Sequence, residues 1–230
     1  MQISTINNKN IHAFLCRSHF LDFIEDKHKI LIALNAEKLL KDEAKMNNLI
    51  NMNIGYADGI GAVLALRRKG VDAIKIPGAE FWLDIIERFE KNKSVYLLGS
   101  SEQVIQETVA RLMQDYPDLK IKGYRNGYFK DKEQALILDE IKTLAPKIVF
   151  VALGSPRQEF LMAEFIQEYP ALYMGLGGSF DVYSGSKKRA PRIFIRLGLE
   201  WLYRLIKEPA RIRRQLNLGV FFLRIVFGNI

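Results

Sequence analysis

The sequence predicts an α/β fold: a mostly parallel, Rossmann-like sheet with helices on both faces, followed by a helical appendage at the C-terminus. Through residues 1–185, short aliphatic runs alternate with amphipathic segments at helical spacing. Apolar strands that alternate with helices are typical of a parallel sheet covered on both faces. Beyond Gly185 the strand-like runs stop and the pattern is helical. We therefore divide the chain into an α/β domain over residues 1–185 and a basic, amphipathic helical appendage over residues 186–230.

Five aliphatic or β-branched runs predict the strands. In chain order they are 29–34 (KILIAL), 94–99 (SVYLLG), 119–123 (LKIKG), 147–154 (KIVFVALG) and 171–178 (ALYMGLGG). Amphipathic segments follow the first, second and fourth runs and predict helices there. We expect the first of these helices to run unbroken through AEKLLKDEAKMNNLI.

Two of the connections from strand to helix repeat one pattern. LLGSSEQV and ALGSPRQE both place Leu-Gly-Ser at the end of a strand, at Gly99 and Gly154. Such turns expose backbone N–H groups at helix N-termini, where phosphate or sugar oxygens bind. Ser101 stands where it would cap the helix after the first turn. We predict that both turns meet one ligand.

The formal net charge of +8 is concentrated in the appendage. Residues 186–230 hold eleven Lys and Arg against Glu200 and Glu208, a charge of +9, so residues 1–185 sum to about −1. This asymmetry indicates a polyanionic partner, which is an anionic membrane, a nucleic acid or a diphosphate substrate.

Two helices are predicted in the appendage, over 191–207 and 209–227, where bulky apolar residues stand beside arginines. The pattern favours a helix that lies in a membrane interface, although a helix packed on the core would show a similar apolar stripe. Just before these helices, Lys187, Lys188 and Arg189 either bind phosphate or form a solvated face.

The composition and the missing motifs exclude several classes of protein. A single cysteine, Cys16, rules out an internal disulfide framework, and three scattered histidines supply no zinc-ligand spacing. The chain has no phosphate loop, dinucleotide fingerprint, nucleophile elbow or zincin motif. It also lacks an Asp-x-Asp pair for a divalent ion, so we expect neither a metal nor a cofactor. With no secretory signal and no apolar stretch of about 18 residues, we expect a cytoplasmic chain without a transmembrane helix.

Four polar clusters follow predicted strands: LNAEK (34–38), YADGIG (56–61), GSPRQE (154–159) and GLGGSFDVYSG (175–185). In an open parallel sheet, ligands bind at the edge where the strands end. We therefore expect the four clusters to lie along one edge and to form a ligand site.

Four residues stand out in these clusters, and each has two interpretations. Asp58, in a glycine-flanked turn, is either a general base or the N-cap of the following helix. Asn35 either orients a substrate hydroxyl or closes an Asx turn. Gln158 either reaches a sugar hydroxyl or is a solvated helix residue. Asp181 either accepts a hydrogen bond from a ribose or base, or is a turn residue.

Six segments together carry a resemblance to a known family. They are YADGIG, IPGAEFW, GYF, ALGSPRQE, GLGGSFDVYSGSKKRAP and LGLEWLYRLIKEPARIRRQL. In this order, from about Asn35 to the C-terminus, the chain resembles the WecG/TagA/CpsF family of glycosyltransferases. It is most similar to the WecG branch, the UDP-N-acetyl-D-mannosaminuronic acid transferases.

The resemblance implies an activity and a location. It implies an inverting, metal-independent transfer of N-acetylmannosaminuronic acid, or a related HexNAc, from a UDP-sugar to undecaprenyl-diphosphate-linked GlcNAc, as in the synthesis of enterobacterial common antigen. The catalytic domain would be residues 1–185, and the appendage would bind the anionic inner face of the cell membrane; self-association into a homo-oligomer stays open. One alternative is a UDP-ManNAc transferase of the teichoic-acid linkage type. The other is an α/β protein that binds nucleic acid through its basic tail, which we do not favour because the tail aromatics occur in blocks rather than as spaced stacking platforms.

The resemblance also implies residue roles. Asp58 would be the base that deprotonates the acceptor hydroxyl, while Asn35 and Gln158 would position a sugar. The nucleotide pocket would be lined by Gly99 and its turn, Gly177, Gly178 and Asp181. Three arginines of the tail would neutralise the diphosphate: Arg204, Arg211 and Arg214.

Two positions depart from the pattern of the family. Ala33 stands two residues before the Asn, where much of the family has Thr, so a hydroxyl is absent there. Lys75 stands where many members have Arg, and as a substrate-binding residue it would keep the charge but lose the bidentate fork.

Overall fold

The computed structural model describes residues 1–187 and nine single positions beyond them. These are Pro191, Phe194, Leu202, Tyr203, Leu205, Gly219, Phe221, Leu223 and Ile225.

Strands and helices alternate along the chain. The strands are β1 (Gln2–Ile6), β2 (Lys9–Ala13), β3 (Ile30–Leu34), β4 (Ile54–Ala57), β5 (Ser94–Gly99), β6 (Lys120–Arg125), β7 (Ile148–Ala152) and β8 (Leu172–Gly175). The helices are α1 (Arg17–Ile24), α2 (Ala36–Leu40), α3 (Ala44–Met52), α4 (Ile60–Arg68), α5 (Gly78–Phe89), α6 (Glu102–Asp115), α7 (Gln134–Leu144), α8 (Arg157–Glu168) and α9 (Ser179–Tyr183). A short 3-10 helix, Asp131–Glu133, precedes α7.

The strands form one sheet in the order β1-β2-β4-β3-β8-β7-β5-β6. The β1–β2 pair is antiparallel, whereas β2–β4, β3–β8, β8–β7, β7–β5 and β5–β6 are parallel. The α/β class and the mostly parallel sheet that the sequence predicts are confirmed.

The five predicted strands all form, but the predicted helix after the first of them is wrong in one respect. It is divided into α2 and α3. The backbone turns extended at Lys41, with φ −66° and ψ 126°, and the Asn47 side chain donates to Asp42 Oδ1 at 2.6 Å. The carbonyls of Leu39 and Leu40, which a continuing helix would use, accept instead from the Asn7 side chain, so the helix ends here.

The chain divides into two compact units. Unit 1 comprises Met1–His19, Ala33–Pro77 and the described positions beyond Lys187, and unit 2 comprises Phe20–Ile32 and Gly78–Lys187. The domain boundary at residue 185 that the sequence suggests stays a prediction.

Unit 1 contains the β1–β2 hairpin, β4 and helices α2 to α4. The hairpin pairs Ile6 with Lys9 and leaves Asn7 and Asn8 as a two-residue turn. Both turn residues have positive φ, 47° and 63°, a conformation that this type of hairpin turn requires and that Asn tolerates. The fully buried side chains of unit 1 include Ile6, Ile11, Leu34, Leu39, Ile50, Tyr56 and Leu66.

Unit 2 contains β5 to β8 and helices α5 to α9. The buried Trp82 ring of α5 contacts three aromatic rings edge to face, Phe150, Phe180 and Tyr183, with centroids 5.7, 5.6 and 5.2 Å away. Since aromatic pairs add to the stabilisation from burial alone, this cluster fixes the short helix α9, which carries two of the three rings.

Beyond Lys187 the appendage is described only at single positions. Arg204, Arg211 and Arg214, and most of the two predicted tail helices, lie outside the described residues. Phe221 is helical and buried, at 1% exposure, whereas Leu223 is 58% exposed. Across the described part of the chain, no helix combines the length and the apolar character needed to cross a membrane.

Candidate functional site

Asp58 and Asn35 follow two strands that end side by side in unit 1. Asp58 comes directly after β4, and its N–H donates to the carbonyl of Leu34, the last residue of β3, at 3.1 Å. Asn35 is the next residue of the chain after Leu34. A Cβ added to Gly59 would stand 3.8 Å from the Asn35 Cβ. The structure therefore brings Asp58 and Asn35 together at the strand ends, where the sequence predicts ligand-binding residues.

Each of these two residues precedes a helix, and the sequence offers a local alternative for each: an Asx turn at Asn35 and an N-cap at Asp58. Asn35 Oδ1 accepts from the Lys38 N–H at 2.9 Å and so caps α2. At α4 the N-cap position belongs to Gly59, which has no side chain to cap the helix. The N-cap interpretation of Asp58 is therefore wrong as to position, since Gly59 occupies it, and the half-buried Asp58 carboxylate precedes the cap.

Tyr56 lies two residues before Asp58 on the same strand and is fully buried. Burial raises the pKa of the Tyr56 phenol well above its ordinary value, and the negative charge of Asp58 raises it further. Both effects favour the neutral phenol. Asp58 thus has a neutral polar side chain two residues before it on β4, not a second charge.

His12 lies opposite Tyr56 in the parallel β2–β4 pair. Its Nδ1 stands 3.2 Å from the carbonyl oxygen of Gly55. Burial lowers the pKa of His12 from its usual 6.5, and the Gly55 carbonyl only partly opposes this shift. Folding therefore shifts the His12 ring towards its neutral form.

Lys75 belongs to the segment that connects α4 with α5. The N–H of Ile74 donates to Phe14 O at 2.9 Å, and the N–H of Ile76 donates to Ala57 O at 2.8 Å. Because Ala57 immediately precedes Asp58, this segment brings the half-buried Lys75 to the same part of unit 1. We call Asn35, Asp58, Gly59 and Lys75 the Asp58 group.

The turn after β5 is the centre of a second group of residues, in unit 2. Gly99 has φ +136°, and a Cβ there would collide with the backbone of Ala152. Ser100 also has positive φ, 57°, which is costly for a residue with a Cβ. Its N–H donates to Ala152 O at 3.1 Å, and its carbonyl accepts from the Gly127 N–H at 2.8 Å. Ser100 is thus held by these two hydrogen bonds in a conformation that a residue with a Cβ does not favour.

Asp181 lies against this turn. The Ser100 hydroxyl donates to Asp181 Oδ2 at 3.2 Å, and Lys187 Nζ stands 3.1 Å from Asp181 Oδ1. The N–H of Lys187 also donates to the Asp181 carbonyl at 2.8 Å. Asp181 is mostly buried, at 20% side-chain exposure, and Lys187 is 68% exposed. A carboxylate, a hydroxyl and an ammonium group therefore meet at the end of β5.

Gln158 is buried at the start of α8 and contacts the glycine turn after β8. Its Oε1 accepts from the Gly177 N–H at 2.9 Å, and its Nε2 donates to Glu159 Oε1 at 3.3 Å. A Cβ at Gly175 would collide with the Gln158 amide. Gln158 is 5% exposed, so the prediction of a solvated helix residue is wrong because the amide is needed to hold this turn.

Gly177 and Gly178 form the turn that leads into α9. Gly177 has φ +57°, with open space where a Cβ would be. Gly178 is the N-cap of α9, and a Cβ there would stand 3.9 Å from Asp181 Oδ2. The structure thus brings Gly178, Asp181 and the turn at Gly99 together, and we call these residues with Ser100 and Gly177 the Ser100 group.

Helix α6 contacts the last residue of α9, Tyr183, and the segment that follows it. Arg111 Nη1 donates to Tyr183 O at 2.8 Å, and its guanidinium lies over the Tyr183 ring, 4.9 Å from the centroid. The Tyr183 hydroxyl donates to Asp115 Oδ2 at 2.6 Å, and the Ser186 hydroxyl donates to Glu107 Oε2 at 3.2 Å. These contacts fix the chain up to Lys187, the last residue of the continuous described part.

Sequence analysis does not identify Ser100 or the neighbouring Arg157 as functional residues. Ser100 occurs in the repeated Leu-Gly-Ser pattern, and that repeat is the signal that could have identified it. Arg157 donates to the carbonyls of Gly127 and Phe129 at 3.4 and 3.3 Å, and lies 4.9 Å from the centre of the Phe129 ring. It thereby secures the loop that donates to the Ser100 carbonyl. Among the described residues, no group of three or more His, Cys, Asp or Glu could hold a metal ion.

The comparison with protein families covers nearly the whole chain. A model of the family described as "Glycosyl transferase WecG/TagA/CpsF family" matches residues 4–230. The match includes both the Asp58 group and the Ser100 group, as well as the appendage.

Proposed function

The chain belongs to the WecG/TagA/CpsF family of glycosyltransferases, and from this membership we propose a specific reaction. The family acts in the synthesis of cell-surface polysaccharides, with a nucleotide-sugar donor and a lipid-linked acceptor. N-acetylmannosaminuronic acid, or a related HexNAc, is transferred with inversion from a UDP-sugar to undecaprenyl-diphosphate-linked GlcNAc, as in enterobacterial common antigen synthesis. No metal takes part. The observation that carries the proposal is the pairing of Asp58 with Asn35 at the ends of β4 and β3.

Asp58 acts as the general base. Its carboxylate removes the proton of the acceptor hydroxyl while that oxygen attacks the anomeric carbon of the donor sugar. The bond between this carbon and the UDP oxygen breaks, UDP leaves with the electron pair, and the proton stays on Asp58. A single displacement of this kind inverts the anomeric configuration, and a positioned base contributes typically 10²- to 10⁴-fold to the rate. Asn35 and Lys75 hold hydroxyl or carboxylate groups of a sugar.

The Ser100 group binds the nucleotide. The glycine turns let the ligand approach the backbone closely, and Asp181, oriented by the Ser100 hydroxyl, accepts from ribose or base. Gln158 acts by keeping the Gly177 turn in place. Without a divalent ion the leaving diphosphate needs cations, and Arg204, Arg211 and Arg214 of the appendage supply them.

The appendage also binds the anionic inner face of the cell membrane, where the lipid-linked acceptor resides. Sedimentation with anionic liposomes tests this: the full chain should sediment, and a chain that ends at Lys207 should not. Unchanged binding of the truncated chain would refute the role of the appendage. A mobility shift of DNA or RNA by the full chain, without liposome binding, would instead favour the nucleic-acid alternative.

A donor panel tests the reaction itself. Purified protein with UDP-ManNAcA and a GlcNAc-diphosphoryl-lipid analogue should release UDP in the presence of EDTA. The panel includes UDP-ManNAc, because preference for it would identify a transferase of the teichoic-acid linkage type. No UDP release with any UDP-HexNAc or UDP-uronate would contradict the proposal.

A further inference from the structure

The turn of the N-terminal hairpin is bound to the end of helix α2. Asn7 Nδ2 donates to the carbonyls of Leu39 and Leu40 at 2.8 and 3.3 Å. Lys9 Nζ donates to Leu39 O at 3.3 Å and to Asn7 O at 2.9 Å. The last carbonyls of a helix have no partner within the helix, so two side chains from about thirty residues earlier in the chain satisfy them here.

Lys9 is an unusual residue for this task because its side chain is completely buried. Burial lowers the pKa of Lys9 from its usual 10.5, and the charge of Asp42 only partly opposes this. An ammonium group is costly to bury unless its hydrogens are used. Here the ammonium group donates to the carbonyls of Asn7 and Leu39, so the buried lysine ties the hairpin turn directly to this helix end.

Helix α2 has only five residues, too few to be stable by itself, so it depends on the burial of Ala36 and Leu39 and on the contacts at its two ends. Its C-terminal end is held by Asn7 and Lys9. At its N-terminal end, Asn35 caps the helix through Lys38 N–H, and Asn35 O accepts from the Leu39 N–H at 2.9 Å. Leu39 and Asn35 are therefore joined directly by a backbone hydrogen bond across one helical turn.

We propose that Asn7 and Lys9 are positioning residues for the transfer step: by holding the C-terminal carbonyls of α2 they keep Asn35 in place beside Asp58. This inference rests on the proposed function. It assigns a role to a hairpin that lies outside the polar clusters.

The same hairpin offers a matched control. Asn51 of α3 donates from Nδ2 to Asn8 O at 3.0 Å, and its Oδ1 accepts from the Asn10 N–H at 2.8 Å. Asn51 thus attaches the hairpin to α3 and not to α2. If attachment of the hairpin matters only for stability, Asn51→Ala should behave like the variants at Asn7 and Lys9.

The test uses the full chain with Lys9→Met, Asn7→Gly and Asn51→Ala. Lys9→Met keeps the apolar stem and removes the donors, and Asn7→Gly removes the amide while allowing the positive φ. We expect kcat to fall at least about tenfold in Lys9→Met and Asn7→Gly, because small misplacements at a reacting site are costly. The dissociation constant of UDP, measured by calorimetry, should stay within about twofold of wild type, because neither Asn7 nor Lys9 is among the residues proposed to contact the nucleotide. Asn51→Ala should keep near-wild-type kcat.

Two further measurements separate positioning from stability. Hydrogen exchange at the amides of Lys38 and Leu39 should accelerate in Lys9→Met and Asn7→Gly but not in Asn51→Ala. In the background of Asn35→Ala, Lys9→Met should cause little additional loss of kcat, since residues that act through one another are not additive.

The outcomes separate this inference from the proposed function. Inactivity of the wild-type chain with every donor would overturn both. With an active wild type, unchanged kcat or unchanged Lys38 and Leu39 exchange in the two variants would overturn the inference alone, as would full additivity with Asn35→Ala. If Lys9→Met does not fold, Asn7→Gly gives the same test.

Discussion

The ring of Phe221 lies directly over Gly61, so that a Cβ at Gly61 would come within 3.1 Å of the ring carbon Cε1. Gly61 is the second residue of α4, three positions after Asp58. A residue of the appendage is therefore packed on the helix that follows the proposed base. At this position the appendage behaves as part of a core, one of the two interpretations that its apolar stripe allowed.

This packing predicts that Phe221 and Leu223 differ in what they do. Phe221→Ala should lower the free energy of unfolding by about 3 kcal/mol, the usual cost of deleting a buried phenyl ring. Leu223→Ala, at a position that is 58% exposed, should change it by less than about 0.5 kcal/mol but weaken sedimentation with anionic liposomes. Urea unfolding and liposome sedimentation measure the two effects. Equal losses of stability in the two variants would contradict this division of roles.

The Ser100 hydroxyl predicts a second effect, on nucleotide affinity. Ser100→Ala and Ser100→Gly both remove the donor to Asp181, and each should weaken UDP binding about tenfold, since a hydrogen bond to a charged group contributes roughly 1.5–3 kcal/mol. Ser100→Gly should be the more stable of the two because glycine relieves the positive φ. Calorimetric titration with UDP measures the affinity.

Ser186→Ala is the matched control, because its exposed hydroxyl contacts Glu107 instead. It should bind UDP like the wild type. Normal UDP affinity in both Ser100 variants would show that the contact with Asp181 does not serve the nucleotide.

The limits of prediction from sequence are visible at Gly99 and Ser100, in the turn after β5. The sequence predicts both ends of strand β5 correctly, because its apolar run has charged residues before it and ends at a glycine. The position of Gly99 followed from the same pattern. The positive φ of Ser100 and its contact with Asp181 did not, because they depend on atoms of Ala152 and Asp181 that only the fold brings near.

The break between α2 and α3 shows the same limit. A helical period runs through both helices, and nothing local in it marks Lys41 as an end. The helix ends there because its last carbonyls are taken by Asn7 and Lys9, which belong to a hairpin that the sequence did not predict. Asn35 and Asp58 could be named from their place after strands, whereas the residues that hold them could not.

Gly175 is predicted to tolerate no side chain. Gly175→Ala would force the Gln158 amide away from Gly177, and we expect a loss of about 1–3 kcal/mol in the free energy of unfolding, as for other overpacked sites. The double variant Gly175→Ala/Gln158→Ala should lose less than the sum of the two single variants, because the clash disappears. Urea unfolding measures both. Gly59→Ala is the control for stability, since no atom lies closer than 3.8 Å to the added Cβ; strict additivity at Gly175 and Gln158 would contradict the prediction.

His12 predicts how stability depends on pH. Because burial lowers the pKa of His12 in the folded chain, the unfolded chain binds the proton more tightly. The free energy of unfolding is therefore highest above about pH 6.5 and falls as the pH is lowered through this value. His12→Gln, which keeps a donor for Gly55, should lose less stability than the wild type between about pH 7.5 and pH 5.5. Urea unfolding at both pH values measures this. The exposed His28 is the control, and His28→Gln should follow the wild type; an equal pH dependence in His12→Gln would rule out the buried imidazole as its source.

Asp58→Asn should separate catalysis from nucleotide binding. The amide has the size of the carboxylate but cannot take up the proton of the acceptor hydroxyl, so kcat should fall roughly 10²- to 10⁴-fold. The dissociation constant of UDP should stay near that of the wild type, because Asp58 is not among the residues proposed to bind the nucleotide. Asp72→Asn is the control, because it removes an exposed carboxylate of the same unit. It should leave kcat and the dissociation constant of UDP unchanged, and this result would exclude a general effect of the lost charge. UDP release under saturating donor and acceptor measures kcat, and turnover close to that of the wild type in Asp58→Asn would mean that the carboxylate is structural and that the base must be sought elsewhere.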